Sequence, residues 1–228
     1  MRERGDLAVL HEPFMYHHYL AGGARVFPGF EPEPGHPVSY ADIRAMILAA
    51  AADGPVFFKD MAYYVGDELP GDAGFAAQMS HAFLVRDPVA AAVSYVKRDP
   101  GFACYELGHE AQYRLYQALV GLGHAPLVMT ADQLRADPEG VFRRYWAHCG
   151  LDFAAHAFAW DRTVPEGWRS VAAWHGDVLA SGAIRAAASN DAAGKLAALG
   201  APYVDYADYH LPYYEKMRRI AEVRAELG

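Results

Sequence analysis

The chain has 228 residues and a mass of 25.0 kDa, enough for one domain to bury a core without a metal or a disulfide framework. Its 20 Lys and Arg against 28 Asp and Glu leave a formal net charge of −8, which excludes a general nucleic-acid binder with a broad basic face. Two cysteines, no apolar run of ~18 residues and no signal-peptide core after Met1 point to a soluble, cytoplasmic protein with no membrane partner.

Leu7-Ala8-Val9-Leu10 is a short apolar run closed by His11-Glu12-Pro13. It reads as a buried strand, because Pro13 has no N–H for a ladder. Residues 21–38 are rich in Gly and Pro and read as a surface loop. Ser39 then caps a helix running to Ala52, with Asp42 at the capping-box position. Val56-Phe57-Phe58-Lys59 is a second strand and His81-Ala82-Phe83-Leu84-Val85 a third. Asp87 and Pro88 cap and open a helix to Arg98. Tyr105 to Gly121 reads as one long helix, since Leu107, Ala111, Leu115 and Leu119 share a face. Pro126 to Met129 is a fourth strand, and Asp137-Pro138-Glu139 opens a helix to Cys149. Residues 183–199 are alanine-rich and helical in pattern. A tyrosine-rich stretch follows, interrupted by Pro212, and a closing helix spans Tyr213 to Leu227.

Strands alternating with helices predict an α/β fold with a mostly parallel sheet. Ligands in such folds sit beyond the carboxyl ends of the strands. Three strand ends here carry charge: His11-Glu12, Lys59-Asp60 and Arg86-Asp87.

Several familiar chemistries fail on spacing. His11-Glu12 and His109-Glu110 have Met15 and Tyr113 where a zinc protease needs its second His. The adjacent His17 and His18 point apart on a helix, and the eleven histidines are scattered, so no metal site is expected. There is no G-x-S-x-G elbow, no dinucleotide fingerprint at Gly121-Leu122-Gly123, and no Walker lysine at Gly194-Lys195.

One constellation remains. Arg86 ends a strand, and Ser94 lies eight positions on, in the first two turns of the next helix. A guanidinium, a hydroxyl and a helix N-terminus together make a phosphate site. The alternative is an Arg86–carboxylate pair beside a neutral helical serine.

Arg86-Asp87-Pro88 with Ser94 resembles the motif by which sulfotransferases hold the 3′-phosphate of 3′-phosphoadenosine 5′-phosphosulfate (PAPS). Residues 7–20, 56–65, 127–153 and 160–183 resemble further segments of a bacterial sulfotransferase-like group, in the same order. The resemblance implies a single sulfotransferase-like domain, 1–228, with a three-layer P-loop-NTPase-like α/β fold and a central, mostly parallel sheet. It also implies that the first strand and the glycine-rich phosphosulfate loop are absent, so that the domain is N-terminally truncated relative to the family. The strand at Leu7–Leu10 then loses a neighbour. Aggregation, a homodimer through that edge, or a covering segment is expected.

The activity implied is sulfuryl transfer from PAPS, as co-substrate, to a hydroxyl or amine of a small-molecule acceptor, without a metal. Arg86 and Ser94 correspond to the 3′-phosphate ligands, and Lys59 to the lysine near the transferred group. Family members often carry a catalytic His two residues after that lysine, where this chain has Met61. Glu12 is the base the resemblance suggests, with His11 the runner-up; a plain turn carboxylate is the alternative for Glu12. Loop 21–38 and the segment with Trp160, Trp168 and Trp174 are expected to shape the acceptor pocket. The competing reading is a non-catalytic descendant acting as a nucleotide-binding or interaction module.

Overall fold

The computed structural model describes residues 1–66, 68–160, 182–184 and 191–226, the last three as backbone only. The chain divides into two compact units, Met1–Glu68 with Ala154–Ile184, and Leu69–Phe153 with Arg185–Gly228. Trp168 and Trp174, and with them the expectation that they shape the acceptor pocket, lie outside the described residues.

The first unit contains strands β1 (Ala8–His11) and β2 (Val56–Lys59), paired in parallel with His11 opposite Lys59. Between them run a single turn, α1 (Pro13–Tyr16), a π-helical turn His17–Ala21, and helix α2 (Tyr40–Ala52). After β2 comes another single turn, α3 (Ala62–Val65). Ser39 caps α2 as expected: its side chain accepts from the Asp42 N–H, and its hydroxyl donates to the Asp42 carboxylate at 2.7 Å. The Gly/Pro loop is irregular, but its aromatics anchor it. Phe27 is buried and stacks on Tyr19 at 4.8 Å, and the Glu33 N–H donates to the Tyr16 hydroxyl. Phe14, Met15, Ile43 and Ile47 fill the core beneath.

The second unit pairs β3 (Ala82–Val85) with β4 (Leu127–Thr130), again in parallel, with Val85 opposite Thr130. Helices α4 (Pro88–Val96) and α5 (His109–Gly121) lie between the strands in sequence. Helices α6 (Ala131–Ala136), α7 (Pro138–His148), α8 (Ala192–Leu199) and α9 (Tyr203–Glu226) follow. Phe83, Val85 and Val128 are buried, whereas Leu84 is 49% exposed. This ladder therefore buries one face, that of Phe83, Val85, Val128 and Thr130, against α9. Trp146 of α7 is buried with Phe142 and Phe153 around it. Phe102 joins Ala92, Val93, Leu107, Leu196 and Ala207 in a cluster under α4, α8 and α9.

The four strands appear where the sequence puts them, but in place of one central sheet they form two parallel ladders. Among the described residues β1 pairs with β2 alone and β3 with β4 alone.

Two helix expectations need correction. The stretch 105–121 is not continuous: Cys104–Leu107 is a 3-10 turn, and Gly108 takes φ 78° before α5 begins. A left-handed residue cannot continue a right-handed helix, and only glycine adopts it without strain. The closing helix, conversely, runs through Pro212 from Tyr203. Proline forgoes one backbone hydrogen bond there, but burial of His210, Tyr214, Met217 and Ala221 on the same helix holds it in place.

Candidate active site

Glu12 closes β1, and its backbone sits at φ 44°, ψ 53°, the left-handed region. It is the sole non-glycine residue with positive φ among the described residues. That conformation costs roughly 1–2 kcal/mol and turns the chain out of the ladder. In an unbroken strand Glu12 would face away from the side shared by His11 and Lys59. The turn brings its carboxylate back: Lys59 Nζ donates to Glu12 Oε1. Lys59 is 52% exposed and Glu12 only 11%, so the ammonium faces solvent and the carboxylate lies behind it.

Two further groups meet this pair. The Tyr64 hydroxyl of α3 lies 3.4 Å from Glu12 Oε2. The Met61 sulfur lies 3.6 Å from Lys59 Nζ. His11 is held below the usual imidazole range, first by burial, while Glu12 opposes and Lys59 adds to that effect. Asp60 is pushed well above the usual carboxylate range by burial first and by Glu12 second. Its Oδ1 accepts the Phe14 N–H at 3.1 Å. Sequence reasoning brought Glu12 and Lys59 forward and left Asp60 and Tyr64 unassigned. Adjacency to Lys59 was the signal that could have found Asp60.

In the second unit Arg86 follows β3 directly, and Asp87 caps α4 by accepting the Ala90 N–H at 2.9 Å. Arg86 Nε is buried and has no hydrogen-bond partner among the described residues. Burial lowers its pKa first, then the nearby Arg135; Asp132 and Asp87 oppose. Arg135 and Asp132 lie on α6, which leaves β4 just after Thr130, the register partner of Val85. A half-buried guanidinium with an unsatisfied donor can accept a hydrogen bond from no neighbour but can donate one to an anion. Ser94 is half-buried in the second turn of α4.

A residue missed at this strand end is His109. Its Nε2 donates to the Arg86 carbonyl at 2.7 Å, while Nδ1 is buried without a partner. Burial pushes its pKa down to about 4, so the ring is neutral and fixed as the Nε2–H tautomer. His210, also buried, makes the same choice: Nε2 donates to the Cys104 carbonyl at 2.7 Å. Among the described residues no group of three or more His, Cys, Asp or Glu could hold a metal, and no helix is long and apolar enough to cross a membrane.

Short parallel ladders joined through helices define an α/β protein, and its strands carry charged residues at or just beyond their carboxyl ends. The family model for the sulfotransferase domain matches residues 1–221. The chain belongs to that family, whose general chemistry is sulfuryl transfer. It is also similar to branched-chain-amino-acid aminotransferase-like protein 2 of Arabidopsis thaliana, 24% identical over 180 residues. That match covers 72% of this chain and 29% of the plant protein. No solved structure matches the chain.

Proposed function

We propose that the protein is a PAPS-dependent sulfotransferase acting as one domain across 1–228, with a small-molecule hydroxyl or amine as acceptor. Arg86 and Ser94 hold the 3′-phosphate. Lys59 stabilises charge building on the bridging oxygen as the sulfur–oxygen bond of the donor breaks, and 3′-phosphoadenosine 5′-phosphate leaves. Glu12 takes the proton that the acceptor loses as its new bond to sulfur forms. The observation that carries this reading is the Lys59–Glu12 pair at the carboxyl ends of two parallel strands, in a chain of the sulfotransferase family. The unsatisfied Arg86 donor supports the phosphate assignment.

In the resting pair each group neutralises the other. The reaction requires Lys59 to leave Glu12 for the donor, which frees the carboxylate as a base in the same movement. The test is transfer of labelled sulfuryl from PAPS to a panel of phenols, alcohols and amines. Transfer that disappears in Lys59→Ala supports the reading; no transfer to any acceptor class overturns it as an enzyme.

A second reading is favoured by one observation. Met61 rests on Lys59 where relatives often carry a catalytic histidine. A non-catalytic descendant that binds the nucleotide without transferring from it accounts for that substitution. It predicts binding of 3′-phosphoadenosine 5′-phosphate with no turnover.

A further inference from the structure

We propose that Asp60 is a positioning residue that keeps Glu12 in its left-handed turn, and so keeps the Glu12 carboxylate against Lys59. This deepens the proposed reaction, in which Glu12 is the base, but it can be tested without a sulfuryl donor.

A non-glycine residue with positive φ persists only where its surroundings over-determine it. On the N-terminal side the β1–β2 ladder fixes the chain up to His11. On the C-terminal side the chain needs a second fixed point. Pro13 restricts its own φ, and the Met15 N–H closes a turn onto the Glu12 carbonyl at 3.0 Å. Glu12 itself stands at the cap position of α1 but makes no side-chain cap bond. The open donor there is the Phe14 N–H, and Asp60 Oδ1 accepts it from 46 residues away in sequence.

Lys59 and Asp60 are adjacent. The end of β2 therefore grips the Glu12 turn twice, with an ammonium on its side chain and a carboxylate on the backbone just beyond it. Asp60 Oδ2 is shielded and has no hydrogen-bond partner among the described residues. A carboxyl placed there for stability alone would find a partner for both oxygens. The groups facing it are Glu12, which repels it, and Lys59 and the Phe14 N–H, which attract it. An acceptor is retained at this point despite its burial and its acidic neighbour, which fits a role in aiming Glu12.

The test compares the wild-type chain with Asp60→Asn and Asp60→Ala by brief acetic anhydride labelling at neutral pH, read by mass spectrometry. Lys59 labelling is normalised to the exposed Lys97 in the same sample. An ammonium held on a carboxylate reacts slowly. Asparagine keeps the Oδ1 acceptor, so Asp60→Asn labels as the wild type does. Alanine removes it, so Glu12 relaxes and Lys59 labels several-fold faster, with Lys97 unchanged. Wild-type labelling of Lys59 in Asp60→Ala, or faster labelling in Asp60→Asn, overturns the proposal. If Asp60→Ala does not fold, Asp60→Ser, whose shorter side chain ends before the Oδ1 position that accepts the Phe14 N–H, takes its place: faster Lys59 labelling is expected, and wild-type labelling overturns the proposal. None of these outcomes depends on sulfuryl transfer, so failure here is distinct from failure of the proposed activity.

Discussion

Lys59 Nζ bonds to Glu12 Oε1 although Glu12 lies one position beyond His11, the ladder partner of Lys59. The left-handed torsion of Glu12 makes that contact. This is the arrangement that a step needing a base and a cation at once can use.

Removing either charge therefore has separate consequences. Glu12→Gln keeps the shape and loses the base, with a fall in kcat of roughly 10²–10⁴-fold. Lys59→Met loses stabilisation of the leaving oxygen, with a fall of roughly 10²–10³-fold. Steady-state kinetics with PAPS and an active acceptor checks both. Unchanged kcat in either variant removes that residue from the reaction.

His109 makes the fold acid-sensitive. Its folded pKa is about 4 against an ordinary 6.5. The unfolded chain thus binds a proton before the folded one does. Stability from this group is complete above 6.5 and is lost as pH falls from 6.5 toward about 4. His109→Gln keeps a donor to the Arg86 carbonyl and cannot titrate. Thermal melts across that window should fall less steeply for this variant; an identical slope contradicts the assignment.

Asp60 has the opposite sign. Its folded pKa is raised from 3.8, so ionisation favours the unfolded chain. Stability is greatest below 3.8 and is lost as pH rises through the raised folded value. Asp60→Asn removes that cost and keeps the acceptor. Its melting temperature should exceed the wild type's at mildly alkaline pH by more than at acidic pH. A difference in melting temperature that is equal at both, or larger at acidic pH, contradicts the reading.

Gly108 sets the break between the 3-10 turn and α5 at φ 78°. Gly108→Ala forces a Cβ into the left-handed region at a cost of roughly 1–2 kcal/mol. Denaturant unfolding should show that loss in the midpoint, with the slope unchanged.

Much of the local structure was legible because its signals are local. Four-residue apolar runs ended by Pro13, Lys59 and Arg86 marked the strands, and Ser39, Asp87 and Asp137 each cap the helix they were assigned. Helix α6 was missed although Thr130 and Gln133 form a capping box, because the short segment carries no apolar stripe. The break at Gly108 was hidden, since Leu107, Ala111, Leu115 and Leu119 keep helical spacing across it. Pro212 misled in the other direction, because tertiary burial outweighs one lost hydrogen bond. At the site, residue type and strand ends brought Glu12, Lys59 and Arg86 forward. The grip of Asp60 on Phe14 and of His109 on Arg86 depends on register and one torsion, which no periodicity encodes.

The central claim is that this chain holds a 3′-phosphoadenosine nucleotide through Arg86. Isothermal titration with 3′-phosphoadenosine 5′-phosphate, on the wild type and on Arg86→Ala, tests it most directly. The account predicts saturable binding in the wild type, weakened roughly 10–100-fold by loss of the charge-assisted contact. Equal binding by both proteins, or none by the wild type, would contradict it.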